Sequence, residues 1–242
     1  MKFVENLLRR AESGGAKCIL CGKRRSELTI AIDGAGVCGE CYDKIMKTRA
    51  QDYYAVSGLE RLFAPFEYNG DLRRAILDMK FNGAAAYAAV LSRLVLDALP
   101  PYYLYSDYDL LVPVPLHSKR YADRGFNQAE LLAEGMSEEL GIELADNVLF
   151  RTRETQHQMS LTNMMRELNV RGAFYADRKS VEGKRVMLVD DIYTAGATLR
   201  ACSQELREKG AEAVSAIVAA ENFVKGQEKE LNIKIPVIHK KQ

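Results

Sequence analysis

The sequence has no tryptophan, only three histidines and almost no excess of charge of one sign. Its 34 basic and 33 acidic side chains give a formal net charge of +1, which excludes a protein-wide basic field for nucleic acid but not a local basic patch. The richest apolar run, residues 84–91, falls far short of the roughly 18 to 20 residues that a membrane span needs. Residues 1–15 lack the long apolar core of a secretory signal. We therefore expect a cytoplasmic protein, with peripheral attachment at the inner face of the membrane as an alternative.

The order of apolar and polar segments predicts two structural units. From residue 59 onward, strand and helix patterns alternate, which is typical of an α/β doubly wound, mostly parallel sheet. The apolar runs at 109–116 and 186–189 are those of buried parallel strands, and a polar, basic loop is predicted at 117–127. We expect residues 1–58 to hold an amphipathic N-terminal helix, a small cysteine module and a linker, and residues 59–242 to form the α/β domain.

Four of the five cysteines form two C-x-x-C pairs, Cys18 with Cys21 and Cys38 with Cys41. Disulfides would not persist in a reducing cytoplasm, and two closely spaced thiolate pairs suit tetrahedral Zn²⁺. The segment between the pairs predicts a hairpin that turns at Asp33-Gly34. Four thiolates leave no position open for a substrate, so we expect structural zinc in a zinc-ribbon module. A redox or disulfide role is the alternative.

The most specific segment is residues 186–199, VMLVDDIYTAGATL. An apolar strand ends in two carboxylates, Asp190 and Asp191, and open α/β sheets bind ligands at the carboxyl ends of their strands. A loop of small residues then opens a helix: Thr194, Ala195, Gly196, Ala197 and Thr198. The free N–H groups of a helix start favour phosphate, and carboxylates accept hydrogen bonds from sugar hydroxyls. A ribose 5-phosphate matches both halves of the motif.

Other phosphate-binding motifs are absent from the sequence. It contains no G-x-x-x-x-G-K-[ST], which excludes a P-loop, and no G-x-G-x-x-G, so a dinucleotide fold lacks support. An acidic pair at a strand end could hold Mg²⁺ as in receiver domains, but that interpretation leaves the TAGAT loop unexplained. An ordinary strand, turn and helix with a chance acidic pair is the remaining alternative.

Residues 186–199 resemble the PRPP-binding motif of type I phosphoribosyltransferases, in which an apolar strand, two acidic residues and a T-x-G-x-T loop follow one another. The wider chain is similar to the ComF family of bacterial competence proteins. The matching segments follow the family's order and cover nearly the whole chain: the four-cysteine start, YNGDLRRAILDMKFNG, VPVPLHSKRYADRGFNQAELLA, RETQHQMSLTNMMRELNVRGAF and VDDIYTAGATL. The resemblance implies a type I phosphoribosyltransferase-like fold for residues 59–242.

The resemblance also implies roles for individual residues. Asp190 and Asp191 would hold the ribose hydroxyls and residues 194–198 the 5-phosphate, with Mg²⁺ accompanying PRPP. A pyrophosphate loop would comprise His117, Ser118, Lys119, Arg120, Arg124 and Gly125. A flexible loop over the site would contribute Arg151, Arg153, Gln156, Arg166 and Asn169. Lys80 is a further phosphate candidate. Capping or solvating a loop is the alternative role of His117 and Arg124, and forming local turns that of Gln156 and Asn169.

Two functions of different classes follow from the resemblance. One is handling of incoming single-stranded DNA beside the uptake machinery in natural transformation, with PRPP bound as a signal or transferred to an unknown acceptor. The other is a metabolic phosphoribosyltransferase with a nucleobase or amine acceptor, unrelated to DNA uptake. The absence of tryptophan and the near-zero net charge weigh against extensive DNA binding.

Overall fold

The computed structural model of the protein describes residues 16–47, 52–54, 58–81, 85–100, 107–154 and 163–222. The expected N-terminal helix therefore lies outside the described residues. In the described part of the chain, no helix combines the length and the apolar character that crossing a membrane requires.

The cysteine module is a small four-stranded sheet with one helix. Its elements are β1 (Ala16–Cys18), β2 (Arg24–Arg25), β3 (Ile30–Ile32), β4 (Ala35–Val37) and α1 (Gly39–Lys47). The strand order is β2-β1-β4-β3, and β3 pairs with β4 antiparallel. Asp33 and Gly34 turn this hairpin with φ values of 50° and 76°, as a tight two-residue turn requires, so the predicted turn is confirmed.

The rest of the described chain alternates strands and helices around a larger sheet. In chain order the elements are β5 (Asp52–Tyr54), β6 (Arg61–Phe63), α2 (Gly70–Phe81), α3 (Ala85–Ala98), β7 (Leu110–Pro113), α4 (Ser118–Arg124), α5 (Gln128–Leu140), β8 (Glu143–Leu144), β9 (Leu149–Arg151), α6 (Asn163–Val170), β10 (Phe174–Ala176), α7 (Arg178–Val181), β11 (Arg185–Tyr193), α8 (Ala197–Glu208) and β12 (Ala213–Glu221). The large sheet has the order β5-β6-β12-β11-β7-β8, and β9 pairs with β10 in a separate ribbon.

Five strands of the large sheet are parallel and the edge strand β5 is antiparallel. The two longest strands, β11 and β12, lie at the centre of the sheet. Most of their side chains are buried because helices cover both faces there. Buried side chains of α2, α3 and α5 form the core on one face, and those of α8 form it on the other. The prediction of a doubly wound, mostly parallel sheet is therefore confirmed.

The cysteine module shares a hydrophobic core with the α2–α3 face of the sheet. Ile30 and Val37 belong to the same buried cluster as Leu91 and Val95 of α3, and β3 and β4 both contact that helix. Since β5 pairs with β6, part of the expected linker supplies the edge strand of the large sheet. The boundary at residue 58 stays a prediction.

Two polar links join the module to the helices that cover the sheet. The Tyr42 hydroxyl of α1 donates to Asp97 Oδ2 of α3 at 3.1 Å. The Arg74 guanidinium of α2 donates to the carbonyl of Leu20, which lies between the first two cysteines. The first half of helix α2 thus contacts the turn between Cys18 and Cys21.

Helices α3 and α5 cross closely because small residues meet there. The Ser92 hydroxyl lies 2.9 Å from both Ala88 O and Leu132 O, so it links the two helices. A Cβ atom on Gly135 would stand 3.0 Å from Ser92 Cβ and Oγ, so glycine lets the backbones approach.

Candidate ribose phosphate site and cysteine cluster

The acidic pair predicted to end a strand lies in the second half of β11, which continues to Tyr193 in the middle of the sheet. Val189 pairs with Pro113, the last residue of β7, so β7 ends just before the acidic pair. On the other side Asp190 pairs with Val218 of β12, which continues past it. Asp190 Oδ1 accepts a hydrogen bond of 2.8 Å from the N–H of Asp191. This contact orients the Asp190 carboxylate toward the backbone of Asp191.

Asp191 faces the side of the sheet that α2 covers. Its carboxylate forms an ion pair with the Lys80 ammonium at the end of α2, and the two side chains are only 7% and 17% exposed. Burial lowers the pKa of the Arg124 guanidinium, while the negative charge of Asp191 acts to raise it. Lys80 therefore pairs with this carboxylate, and Arg124 lies near enough to interact with it, while the role of Lys80 toward phosphate stays a prediction.

Asp190 faces the opposite side of the sheet, as the alternation of side chains along a strand requires. Burial and the like charge of Asp191 raise the pKa of Asp190 well above its ordinary value, although the Asp191 N–H and Lys80 act against the shift. On this side the charge of Asp190 acts on Arg151 of β9 and on the buried Cys202 of α8. Burial, and then Asp190, raise the pKa of the Cys202 thiol, so this cysteine stays protonated.

The loop of small residues opens α8 directly after β11. Gly196 is the N-cap residue with φ 73°, and no side chain caps the helix there. A left-handed φ favours glycine, which explains its place in the loop. The N–H groups at the start of a helix lack intrahelical partners and carry the positive end of its dipole. A helix starts in this segment as predicted, with Ala197 and Thr198 already inside α8, and the phosphate role of residues 194–198 stays a prediction.

The basic segment after β7 is a helix where the sequence predicted a polar loop. α4 spans Ser118–Arg124; His117 Nδ1 accepts from the Lys119 N–H at 3.3 Å, and Gly125 ends the helix with φ 84°. The loop interpretation was wrong because these caps stabilise a helix of about two turns, which is too short for a clear apolar period. The hydrogen bond from the Lys119 N–H to His117 therefore supports the alternative role of His117 as a helix cap.

The cations of α4 face different neighbours. The Arg124 guanidinium lies 5.7 Å above the ring of Phe81 and donates to Gln128 Oε1. Lys119 Nζ stands 3.3 Å from Glu154 Oε1, in an exposed ion pair. Arg120 lies near enough to Arg151 to lower its pKa, together with burial. The pyrophosphate role of residues 117–125 stays a prediction.

The two described ends of residues 151–172 contact each other and the adjoining strand β10. The Arg151 guanidinium lies 5.4 Å above the Phe174 ring. Arg153 Nη2 donates to the backbone carbonyls of Asn169 at 3.1 Å and Arg171 at 2.8 Å. Gln156 and the side chain of Arg166 lie outside the described residues. The function of this segment as a loop that closes over substrate stays a prediction.

The four predicted metal ligands form one cluster. The Sγ atoms of Cys18, Cys21, Cys38 and Cys41 all lie within 4.8 Å of one another, and Cys21 and Cys38 stand 4.0 Å apart. Around Zn²⁺ with bonds of about 2.3 Å, tetrahedral sulfurs stand roughly 3.8 Å apart. Burial and hydrogen bonds with neighbouring thiols raise the pKa of the Cys41 thiol. The arrangement fits a metal ion, whose charge would favour the thiolates.

Comparisons with known proteins agree with this geometry. The phosphoribosyl transferase domain family matches residues 127–239. The DNA utilization protein YhgH of Escherichia coli is 35% identical over 159 residues, which cover 64% of this chain and 69% of that protein. The competence protein ComFC of Bacillus subtilis is 30% identical over 81% of this chain and 73% of its own length. The chain belongs to the ComF family. The ComFC protein of Streptococcus pneumoniae is 29% identical over 82% of this chain and 96% of that protein.

The structure of this ComF-family protein places several of the predicted residues near the acidic pair, and their roles stay predictions. Lys80 and Arg124 act on Asp191, and Arg120 and Arg151 cluster on the side of Asp190. Phe81, at the end of α2 with 72% of its surface exposed, lies against Arg124 and was not among the predicted residues. Its adjacency to Lys80 in the MKFNG segment was the available signal.

Proposed function

We propose that this ComF-family protein binds PRPP at the carboxyl edge of β11 and acts in the handling of incoming single-stranded DNA during natural competence. The observation that carries the PRPP part is the sequence of a carboxylate pair and an uncapped helix start on one continuous segment. Carboxylates accept from a vicinal diol, and helix N–H groups bind a phosphate. PRPP has both groups on one sugar.

In this proposal Lys80 exchanges partners when PRPP binds. In the unliganded protein its ammonium neutralises Asp191. A ribose diol that donates to the carboxylates takes over part of that role, which leaves Lys80 close to the phosphates of the ligand. Arg120, Arg124 and Arg151 supply further positive charge for a polyanion. The ion pair thus keeps the buried carboxylate compensated until substrate arrives.

If PRPP is turned over, catalysis consists mainly of positioning. The leaving group is pyrophosphate and positive charge develops at the sugar, so the cationic side chains stabilise the departing diphosphate. Carboxylate oxygens are ligands that Mg²⁺ prefers, and Mg²⁺ bound with PRPP would supply further charge neutralisation. The acceptor of the phosphoribosyl group stays open.

The cysteine cluster holds structural Zn²⁺ in this proposal. Its four ligands fill a tetrahedral shell, and the core that the module shares with α3 makes the ion a stabiliser of the whole fold. The DNA part is supported by the names of the relatives, ComFC and DNA utilization protein, and by the exposed Lys119 and the partly buried Arg120 and Arg124 of α4. Phosphate contacts of that kind weaken steeply with salt.

The first experiment measures PRPP binding with Mg²⁺ by calorimetry, in the wild-type protein and in Asp190→Asn/Asp191→Asn. The exposed Asp43 of α1 gives a control, Asp43→Asn. We expect binding by the wild type and the control but not by the double variant. Equal binding by all three would refute the assigned site.

A second experiment separates an enzyme from a PRPP-responsive binding protein. Pyrophosphate release from PRPP is followed with and without a small-molecule cell extract as the source of acceptors. Release that needs the extract and disappears in the double variant would establish a phosphoribosyltransferase, and a nucleobase or amine acceptor would favour the metabolic alternative. PRPP binding without release would favour a PRPP-responsive protein that handles DNA.

A further inference from the structure

The ring of Phe81 is the most exposed of the large hydrophobic side chains in the described part of the chain, at 72%. It occupies the last position of α2, directly after Lys80, whose ammonium contacts Asp191. A single exposed apolar side chain needs no explanation by itself. Phe81 calls for one because it follows Lys80 and contacts Arg124, and both of these cations interact with Asp191, the carboxylate proposed to bind ribose.

The ring is held on one side by a cation. The guanidinium carbon of Arg124 lies 5.7 Å from the ring centroid, and the guanidinium also donates to the buried Gln128. Asp191 attracts the same guanidinium. Because Arg124 is fixed by these contacts and covers only one side of the ring, the remaining exposure of Phe81 is an aromatic surface of defined orientation.

A second exposed aromatic ring lies on the helix that carries Arg124. Tyr121 of α4 is 47% exposed and stands three residues before Arg124, so both side chains occupy one face of the helix. Of the cations on α4, Arg124 contacts the Phe81 ring, whereas the exposed Lys119 pairs with Glu154 and Arg120 lies near Arg151. Aromatic rings next to cations are the pattern that binds single-stranded nucleic acid, with bases stacked on rings and phosphates on cations.

We propose that Phe81, extended by Tyr121, is a stacking subsite for an unpaired nucleobase. This inference rests on the proposed function, since it names the part of the protein that contacts the strand. A base held in a duplex has both faces covered by its neighbours, so the subsite selects single strands. The exposed ring offers a π-face without hydrogen-bonding groups, so it stacks bases of any sequence.

The test compares two oligonucleotides of about 15 nucleotides, oligothymidylate and an abasic strand with the same backbone, by fluorescence anisotropy. Phe81→Leu removes the π-face and keeps an apolar side chain. Phe81→Trp restores a ring. Tyr175→Leu is the matched control, because Tyr175 is 48% exposed on β10 and its ring stacks on Phe150. Thermal melts establish that each variant folds.

We expect Phe81→Leu to weaken oligothymidylate binding roughly fivefold to a hundredfold, the range for loss of one stacked base. Binding of the abasic strand should not change, Phe81→Trp should retain the wild-type affinity, and Tyr175→Leu should match the wild type. Equal affinity of Phe81→Leu and wild type for oligothymidylate would overturn the inference. So would an equal loss for both strands, because that result indicates a structural role.

A further arm distinguishes a strand from a free base as the source of the stacked ring. Free adenine and thymine are titrated with PRPP and Mg²⁺ present. A free base could bind the wild type but not Phe81→Leu, while both proteins bind the oligonucleotide with equal affinity. In that case the ring binds an acceptor base, and the assignment to a nucleic-acid strand is overturned. A wild-type protein that binds PRPP but neither oligonucleotide also overturns the inference, and the PRPP site would stand.

Discussion

Replacing Lys80 by methionine would leave the Asp191 carboxylate buried without its main partner. The two side chains are 17% and 7% exposed, so the pair is largely shielded from water. Breaking such a pair by removing one partner costs about 3–5 kcal/mol of unfolding free energy. Because Arg124 also acts on Asp191 and Lys80 keeps some contact with water, we expect the lower end, about 3 kcal/mol.

Urea unfolding of a double-mutant cycle measures this energy. The cycle comprises the wild type, Lys80→Met, Asp191→Asn and the double variant. Neutralising Asp191 removes the stranded charge, so the double variant should be more stable than Lys80→Met alone. The coupling energy should be about 1–3 kcal/mol, as expected for side chains in direct contact. Lys184→Met, at an exposed lysine before β11, is the control.

The reasoning would be refuted if Lys80→Met lost less than about 1 kcal/mol, which is the behaviour of a surface ion pair. It would also be refuted if the coupling energy were near zero, since the destabilisation would then come from lost packing of the lysine stem. Lys184→Met should change the unfolding free energy by less than about 0.5 kcal/mol.

Three further predictions concern other parts of the molecule. The pKa of Asp190 is raised on folding, so the free energy of unfolding falls as pH rises from the ordinary aspartate range toward the folded pKa. Thermal melts at several pH values should show that Asp190→Asn raises Tm at neutral pH and much less in acid. Gly135→Val should cost about 1–3 kcal/mol in urea unfolding through collision with Ser92, and an unchanged midpoint would contradict the close crossing. Cys18→Ser should lower Tm in one calorimetric transition; a separate early transition would show an independent module.

The central strand and the loop after it were predictable because local patterns determine them. An apolar run bounded by acidic residues and small residues specifies β11 and the start of α8 without help from the rest of the chain. The hairpin turn at Asp33 and Gly34 has the same property, since both residues adopt positive φ values.

The surroundings of the carboxylates were harder to predict because they depend on tertiary packing. Lys80 and Arg124 are 44 positions apart in sequence, and only the packing of α2 and α4 at the edge of the sheet brings both to Asp191. Helix α4 was missed for a different reason: its stability comes from the His117 cap and the Gly125 stop, and neither produces hydrophobic periodicity.

The core that the cysteine module shares with α3 has a consequence for shortened forms of the protein. A chain that starts after residue 58 would lack Ile30 and Val37, and would expose the apolar side chains of α3 that they cover, Leu91 and Val95 among them. It would also lose β5 and leave the edge of β6 unpaired. An apolar patch beside an open strand edge promotes self-association. Poor solubility of the isolated α/β part would therefore reflect that exposed apolar face and would not measure its capacity to bind a ligand.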